Sequence, residues 1–234
     1  MILGASQPAF LPWGGYFGLI DYVDDFVFID HVQFDRRSRQ QRNTIKINNN
    51  QHYLTVPVLS KNKRNQRIND VLIDSKVNFY KNHIETIKHN YSKTKYFHKY
   101  SNDVFKIYEK KHSKLFDLNV DLIIHFCKVL KISSNFNFSS NLDVSNYSKQ
   151  ELILEICKKK KCSDYISTVG SKDYLSDLHK FNENQINVKF YEFFGKKYNQ
   201  NGNIFIKNLS ILDIIFNLGD DALSYIRESF KITS

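Results

Sequence analysis

Two rhythms of apolar positions alternate along this chain. Short apolar runs occur at 2–6, 26–30 (FVFID), 165–168 (YIST) and 186–193 (INVKFYEF). Runs of this length bounded by polar or turn residues read as strands. An apolar-periodic stretch at 16–24 reads as a helix between the first two. Residues 2–30 therefore predict a strand–loop–helix–strand unit, whose crossover makes its two strands parallel neighbours. TIKI and HYLTVPV flank the turn-prone Asn48, Asn49 and Asn50 and predict a β-hairpin, and VLID (71–74) adds a candidate strand. From Val77 the period lengthens, with Phe79, His83, Ile84, Ile87 and Tyr91 near one helical face. Further helices are expected at 101–112, 115–131, 148–160 and 171–180, with a helical pair at 209–226 broken at Gly219. The Asn- and Ser-rich stretch 133–149 reads as a linker. These elements predict an α/β fold: a mostly parallel sheet with flanking helices, a β-hairpin insertion and a helical middle segment over 76–160. One domain is expected to span 1–234.

Composition supports a folded protein with a sizeable core: 41% of residues are hydrophobic and 15% aromatic. Mean hydropathy is −0.46, and the apolar runs fall far short of a membrane span. With no secretory-signal pattern, the expectation is a cytoplasmic protein without membrane insertion. The three cysteines, Cys127, Cys157 and Cys162, are odd in number and lack metal-ligand spacing. They read as structural thiols of a reducing compartment.

Charge changes the picture more through its placement than through its total of +10. The first 30 residues hold four acids (Asp21, Asp24, Asp25, Asp30) and no Lys or Arg, whereas residues 31–67 hold nine basic residues and one acid. That switch suggests an anion-binding face beside an acidic pocket. No nucleic-acid-binding signature accompanies it, so nucleic acid is not the expected partner. A phosphorylated metabolite, a cofactor pyrophosphate or an acidic carrier protein fits the arginines. The lysine run at 158–161 reads as solvated surface.

Candidate chemistry starts at QPAFLPWGGYF (7–17), which holds two of the chain's three prolines and its only tryptophan. A strand, a loop shaped by proline and glycine, then a helix presents backbone N–H groups to an anion. The plainer reading makes Trp13 and Phe10 plugs beneath a tight turn. Asp30 ends a predicted strand, where α/β folds place ligand contacts. Arg37 and Arg42 can each grip a phosphate or carboxylate with two parallel hydrogen bonds, and Gln33 and Asn43 add neutral donors and acceptors. Arg42 and Asn43 could equally hold the loop. His83 lies on a core-facing helix side, as a packed core residue or as an acid/base. Ser171, after Gly170, suits a phosphate-receiving turn or an N-cap better than a nucleophile, since no G-x-S-x-G elbow is present. Gln200, within YNQNGNIF, is a loop residue or a pocket wall.

QPAFLPWGGYF, the aspartate at 24, FVFIDHVQF, RNTIK, Asn82 and His83, Tyr91, VGSKDYL (169–175), YNQNGNIF (198–205) and LSILDIIFNLG (209–219) together resemble the WbqC-like family. The resemblance spans essentially the whole chain, in order. It departs at Arg39, where the family often has Trp, at Gln41, where it often has Asn, and at Phe79 or Tyr80, where it has Trp before the helix histidine. It implies a cytoplasmic protein of bacterial surface-polysaccharide or glycolipid synthesis, such as O-antigen. The motif positions carried over are Gln7, Pro8, Trp13, Gly15, Tyr16, Asp30, Gln33, Arg42, Asn43, Gly170, Ser171, Tyr174 and Gln200. The expected activity is a transferase joining an acyl or aminoacyl group to the amine of a nucleotide-linked amino sugar. Its donor would be a carrier-protein or coenzyme A thioester, with His83 or Asp30 as base. Alternatives are an ATP-using nucleotidylyltransferase or carboxylate-activating ligase, and a non-catalytic binding module of glycan assembly.

Overall fold

The computed structural model describes residues 1–63, 65–175 and 177–233, so Arg64 of the basic stretch lies outside the described residues. Strand β1 (Ile2–Ser6), helix α1 (Gly14–Tyr22) and strand β2 (Asp25–Phe28) form the predicted opening unit, its strands parallel with Gly4 opposite Phe26. Strands β3 (Arg42–Ile47) and β4 (Asn50–Thr55) form the predicted antiparallel hairpin. Its turn residues Asn48 and Asn49 have φ of 45° and 63°, left-handed values that Asn tolerates and two-residue hairpin turns need. Helices α2 (Phe79–Tyr91), α3 (Phe97–Glu109) and α4 (Leu115–Leu130) follow, then strand β5 (Asn135–Phe138) and helix α5 (Lys149–Lys160). The rest comprises strand β6 (Asp164–Thr168), helix α6 (His179–Glu183), strand β7 (Asn187–Phe193), helices α7 (Ile211–Leu218) and α8 (Ala222–Arg227), and strand β8 (Phe230–Thr233).

Six strands form one sheet in the order β5-β2-β1-β6-β7-β8, parallel throughout except for β8 against β7. From β1 the chain builds outward to one side through β2 and β5, then returns to the other side through β6 and β7. The order therefore reverses between β1 and β6, and crevices open beyond the carboxyl ends of strands at such a point. Phe17, Phe26, Phe28, Ile166 and Tyr191 belong to the core on one face, with residues of α4 and α7. Leu3, Val27, Tyr165 and Phe190 pack with Leu152, Ile153 and Ile156 of α5 on the other. Covering both faces is what a parallel sheet requires.

The structure corrects several expectations. Residues 133–149 are not a linker, and the middle segment is not purely helical, because β5 pairs with β2. Its Phe136 and Phe138 stack on Phe28, each with ring centroids 5.6 Å apart. The alternation NFNF was the available signal, obscured by asparagine's turn preference. VLID makes only isolated bridges, to Val58 and Lys114. The helix expected over 171–180 is a single 3-10 turn, Val169–Ser171, followed by the short α6. No helix among the described residues is long and apolar enough to cross a membrane.

Candidate functional site

The loop that leaves β1 at the switch point owes its shape to distant partners. Leu11 turns it with φ 43°. Phe10 N donates to the Arg39 carbonyl at 2.9 Å, and Ile211 N donates to the Pro12 carbonyl at 2.7 Å. Asn43 Nδ2 donates to the Leu11 carbonyl at 2.6 Å, and the fully buried Asn119 donates to the carbonyls of Gln40 (2.8 Å) and Pro8 (3.3 Å). At the strand end, Gln40 Nε2 donates to Gln7 Oε1 at 2.7 Å and the Tyr16 hydroxyl to the Gln7 carbonyl at 3.1 Å. A proline-rich loop with few ladder bonds of its own is thereby held by α4, α7 and the loop 38–43.

Two cavities open here. One, of about 340 Å³, is lined by Trp13, Arg39, Thr168, Gly170, Phe193 and Asn208 among others. The other, of about 280 Å³, is lined by Ser6, Gln7, Tyr16, Ser38, Gln40 and again Trp13 and Arg39. The indole and the guanidinium are thus shared walls of one crevice along the carboxyl ends of β1 and β6. Arg39 is exposed, and its Nη1 donates to Asn43 Oδ1. Asn43 is itself anchored on Leu11, which orients the guanidinium and leaves further donors for a ligand.

The two glycines serve the protein's own packing. A Cβ on Gly15 would lie 2.3 Å from Trp13 Nε1 and 2.8 Å from Phe193 Cβ, and one on Gly14 would lie 2.6 Å from Ile214. Both are helical residues of α1, so they are needed for space rather than for positive φ. At Gly170 a Cβ would meet nothing within 4 Å, so this glycine is an open edge of the crevice.

Other expected site residues lie elsewhere. Ser171 is buried, its hydroxyl 2.7 Å from the Thr168 carbonyl and 2.6 Å from Ser167 Oγ. The half-exposed Tyr174 bonds to both serines, and burial raises its pKa. The buried Asp30 carboxylate accepts from Ser139 Oγ (2.9 Å), Ser140 N (2.9 Å), Ser140 Oγ (2.7 Å) and Asn69 Nδ2 (3.3 Å). It ties the carboxyl ends of β2 and β5 together. Gln33 is exposed on a bridge to Arg67, and the exposed Arg37 sits at φ 61° with its N–H on Gln41 Oε1. Arg42 stacks on Tyr53, 4.3 Å from the ring centroid, on the hairpin. His83 is packed among Phe10, Phe79 and Tyr108, and burial lowers its pKa to about 4, which leaves the ring neutral. Neither His83 nor Asp30 lines either cavity.

Gln200 latches its own loop, exchanging bonds with the backbone of Ile206 at 2.9 Å and donating to the Tyr198 hydroxyl at 3.1 Å. Tyr198 and Tyr91 donate to the two oxygens of Asp213, at 2.6 and 2.8 Å. Burial raises the pKa of that carboxylate, and the tyrosine bonds oppose the shift.

The acids of the first 30 residues are not gathered together but taken up by separate partners. Asp21 holds Arg227 through two bonds of 2.7 and 2.9 Å, Asp24 accepts from Ile2 N at 2.7 Å, Asp25 pairs with Lys160 at 2.7 Å, and Asp30 holds the serines. Sequence reasoning missed Arg39, Asn119 and Asp213. A lone acid inside the apolar run ILDIIF was a signal for Asp213. Nothing in the spacing of Arg36, Arg37 and Arg39 says which of them faces a crevice.

The family profile of the WbqC-like protein family matches residues 7–225. The chain belongs to this family. An uncharacterized Mycobacterium tuberculosis protein, Rv1507c, is 32% identical over 223 residues, covering 94% of this chain and 95% of its own. No solved structure matches. In this WbqC-like protein the motif QPAFLPWGGYF builds the crevice, while Lys46 of RNTIK, Tyr91, YNQNGNIF and LSILDIIFNLG meet around Asp213.

Proposed function

We propose that this WbqC-like protein binds a nucleotide-linked amino sugar in the crevice and transfers an acyl or aminoacyl group to its amine, in cytoplasmic synthesis of a surface glycan. The observation that carries the reading is the shared Trp13 and Arg39 wall at the switch point. An indole face suits a base or sugar ring, and an oriented guanidinium suits a pyrophosphate. The donor is a thioester on an acidic carrier protein or on coenzyme A. The unprotonated amine attacks the thioester carbonyl, a C–N bond forms, the C–S bond breaks, and the departing thiolate takes the proton the amine sheds. With His83 and Asp30 outside the crevice, its residues contribute binding and proximity.

A second reading, a binding module without chemistry, is favoured by the composition of the crevice. Its titratable lining groups are Arg39 and the tyrosines Tyr16 and Tyr191, both phenols pushed up by burial. The deciding experiment incubates purified protein with UDP- and dTDP-linked amino sugars and thioester donors, and follows mass and binding heat together. An added acyl mass supports the transferase. Binding heat without new mass across the donor panel supports the module, and no heat with any nucleotide sugar removes both readings.

A further inference from the structure

Lys46 is a buried cation beside a cavity that shares no lining residue with the crevice. It lies on β3, 4% exposed, its Nζ donating to the Ile204 carbonyl. Its backbone N–H donates to the Tyr91 hydroxyl at 3.0 Å, and Tyr91 in turn donates to Asp213. Burial lowers the amine's pKa, and the Asp213 carboxylate acts against that shift. The cavity beside it, about 340 Å³, forms where the hairpin turn, the end of α2 and the loop 198–206 meet. It falls in the size range of small-molecule sites.

The walls are bonded to one another. Asn49 Oδ1 accepts from the backbone N–H groups of Asn203 (3.1 Å) and Ile204 (3.4 Å), and Asn201 Nδ2 donates to the Asn90 carbonyl at 2.9 Å. These bonds use the oxygen of Asn49 and the nitrogen of Asn201, leaving an amide donor and an amide acceptor for a ligand. His89, Asn48 and Gly202 complete the wall, and among the described residues no carboxylate or phenyl ring lines it. Amides that can both give and take hydrogen bonds suit hydroxyl groups, and the Lys46 ammonium, which gives one bond to the Ile204 carbonyl, has donors left for an anion.

The geometry points to a second ligand site at Lys46 for a small hydroxylated oxyanion, a sugar phosphate or a sugar acid, with the anion on Lys46 and hydroxyls on the asparagine amides. The site is separate from the crevice and stands whether or not the crevice performs the transfer.

Isothermal titration of the full chain with glucose 6-phosphate, glucuronate, inorganic phosphate and glucose tests it. The expected result is that one of the two charged sugars binds about tenfold or more tightly than glucose or phosphate alone. Because Lys46 is buried, Lys46→Met could lose binding by unfolding. The exposed Asn201→Asp gives up its bond to the Asn90 carbonyl and sets a like charge in the wall. With the parent's melting curve retained it should weaken that binding by about tenfold or more, whereas Asn201→Ser, which loses the bond without adding charge, should weaken it less. Arg39→Ala, in the crevice, should leave it unchanged. The proposal is overturned if neither charged sugar binds, if phosphate or glucose alone binds as tightly, if Asn201→Asp matches the parent chain, or if Arg39→Ala removes the heat.

Discussion

The two edges of the same sheet are built to opposite ends. At the amino edge connections are short and the acids are taken up by partners on neighbouring elements. Asp24 caps the Ile2 amide, Asp25 pairs with Lys160 and also accepts from Asn137, and Asp164 pairs with Lys189 at 2.9 Å. At the carboxyl edge the loops are long, Arg36, Arg37 and Arg39 are exposed, and the polar bonds shape a crevice. Paired charge at one edge holds strands in place; at the other the buried Asp30 does the same for β2 and β5, while the exposed arginines remain available for a ligand. The lysine run shows the same division within four residues: Lys160 is bonded into the amino edge, while Lys158 makes only a surface pair with Glu155.

The largest expected effect comes from acid acting on the crevice side. Unfolded His83 titrates near 6.5, but in the fold burial holds it at about 4, so the unfolded chain takes the proton first. Stability should therefore fall as pH drops from 6.5 to 4, by roughly 3 kcal/mol from this group. His31 and His125, also lowered by burial, act in the same sense. Urea unfolding across that range checks it, and His83→Gln should flatten the profile. An unchanged slope in that variant would remove His83 as the acid-sensitive element beneath Phe10.

At the amino edge, Lys160→Met leaves the buried Asp25 without its counter-ion and should cost about 3 kcal/mol of stability. Nucleotide-sugar binding should be unchanged, since the pair lies at the far end of the sheet. The mirror-image variant is Arg39→Lys. It keeps the charge but loses the planar fork, and should weaken nucleotide-sugar binding by about 1.5–3 kcal/mol. Because Arg39 is exposed, its melting should move by under about 0.5 kcal/mol. If Arg39→Lys is silent in titration and Arg42→Lys is not, the crevice is the wrong site and the hairpin arginine is the ligand contact. The smallest effect belongs to Lys158→Gln with Lys159→Gln, which should change neither stability nor binding by more than about 0.5 kcal/mol. A clear loss of nucleotide-sugar affinity there would move the anion site to the amino edge.

The order of strands and helices was legible because apolar periodicity is a local property. Runs at 2–6, 26–30, 165–168 and 186–193 are short and bounded by polar or turn residues, which favours strands over buried helices, and the hairpin turn follows from the conformational tolerance of asparagine. The opening motif stood out by composition, but its glycines read as freedom of φ for an anion-binding loop, whereas Gly14 and Gly15 are helical and answer to crowding by Ile214, Trp13 and Phe193, which only the packed fold supplies. The sequence also held both charge clusters. It did not show which charges would be consumed inside the fold, because Asp21 finds Arg227 and Asp25 finds Lys160 only once distant segments are packed. β5 was hidden because a short edge strand of Asn and Phe takes its stability from Phe28 and the sheet rather than from its own propensity. Arg39 was hidden for the same physical reason. Three arginines on one exposed loop are equivalent in sequence, and only Asn43, anchored through Leu11, turns one of them into the crevice. Local pattern determined the elements and the chemistry available; long-range contacts decided which side chains became structure and which were left to face a ligand.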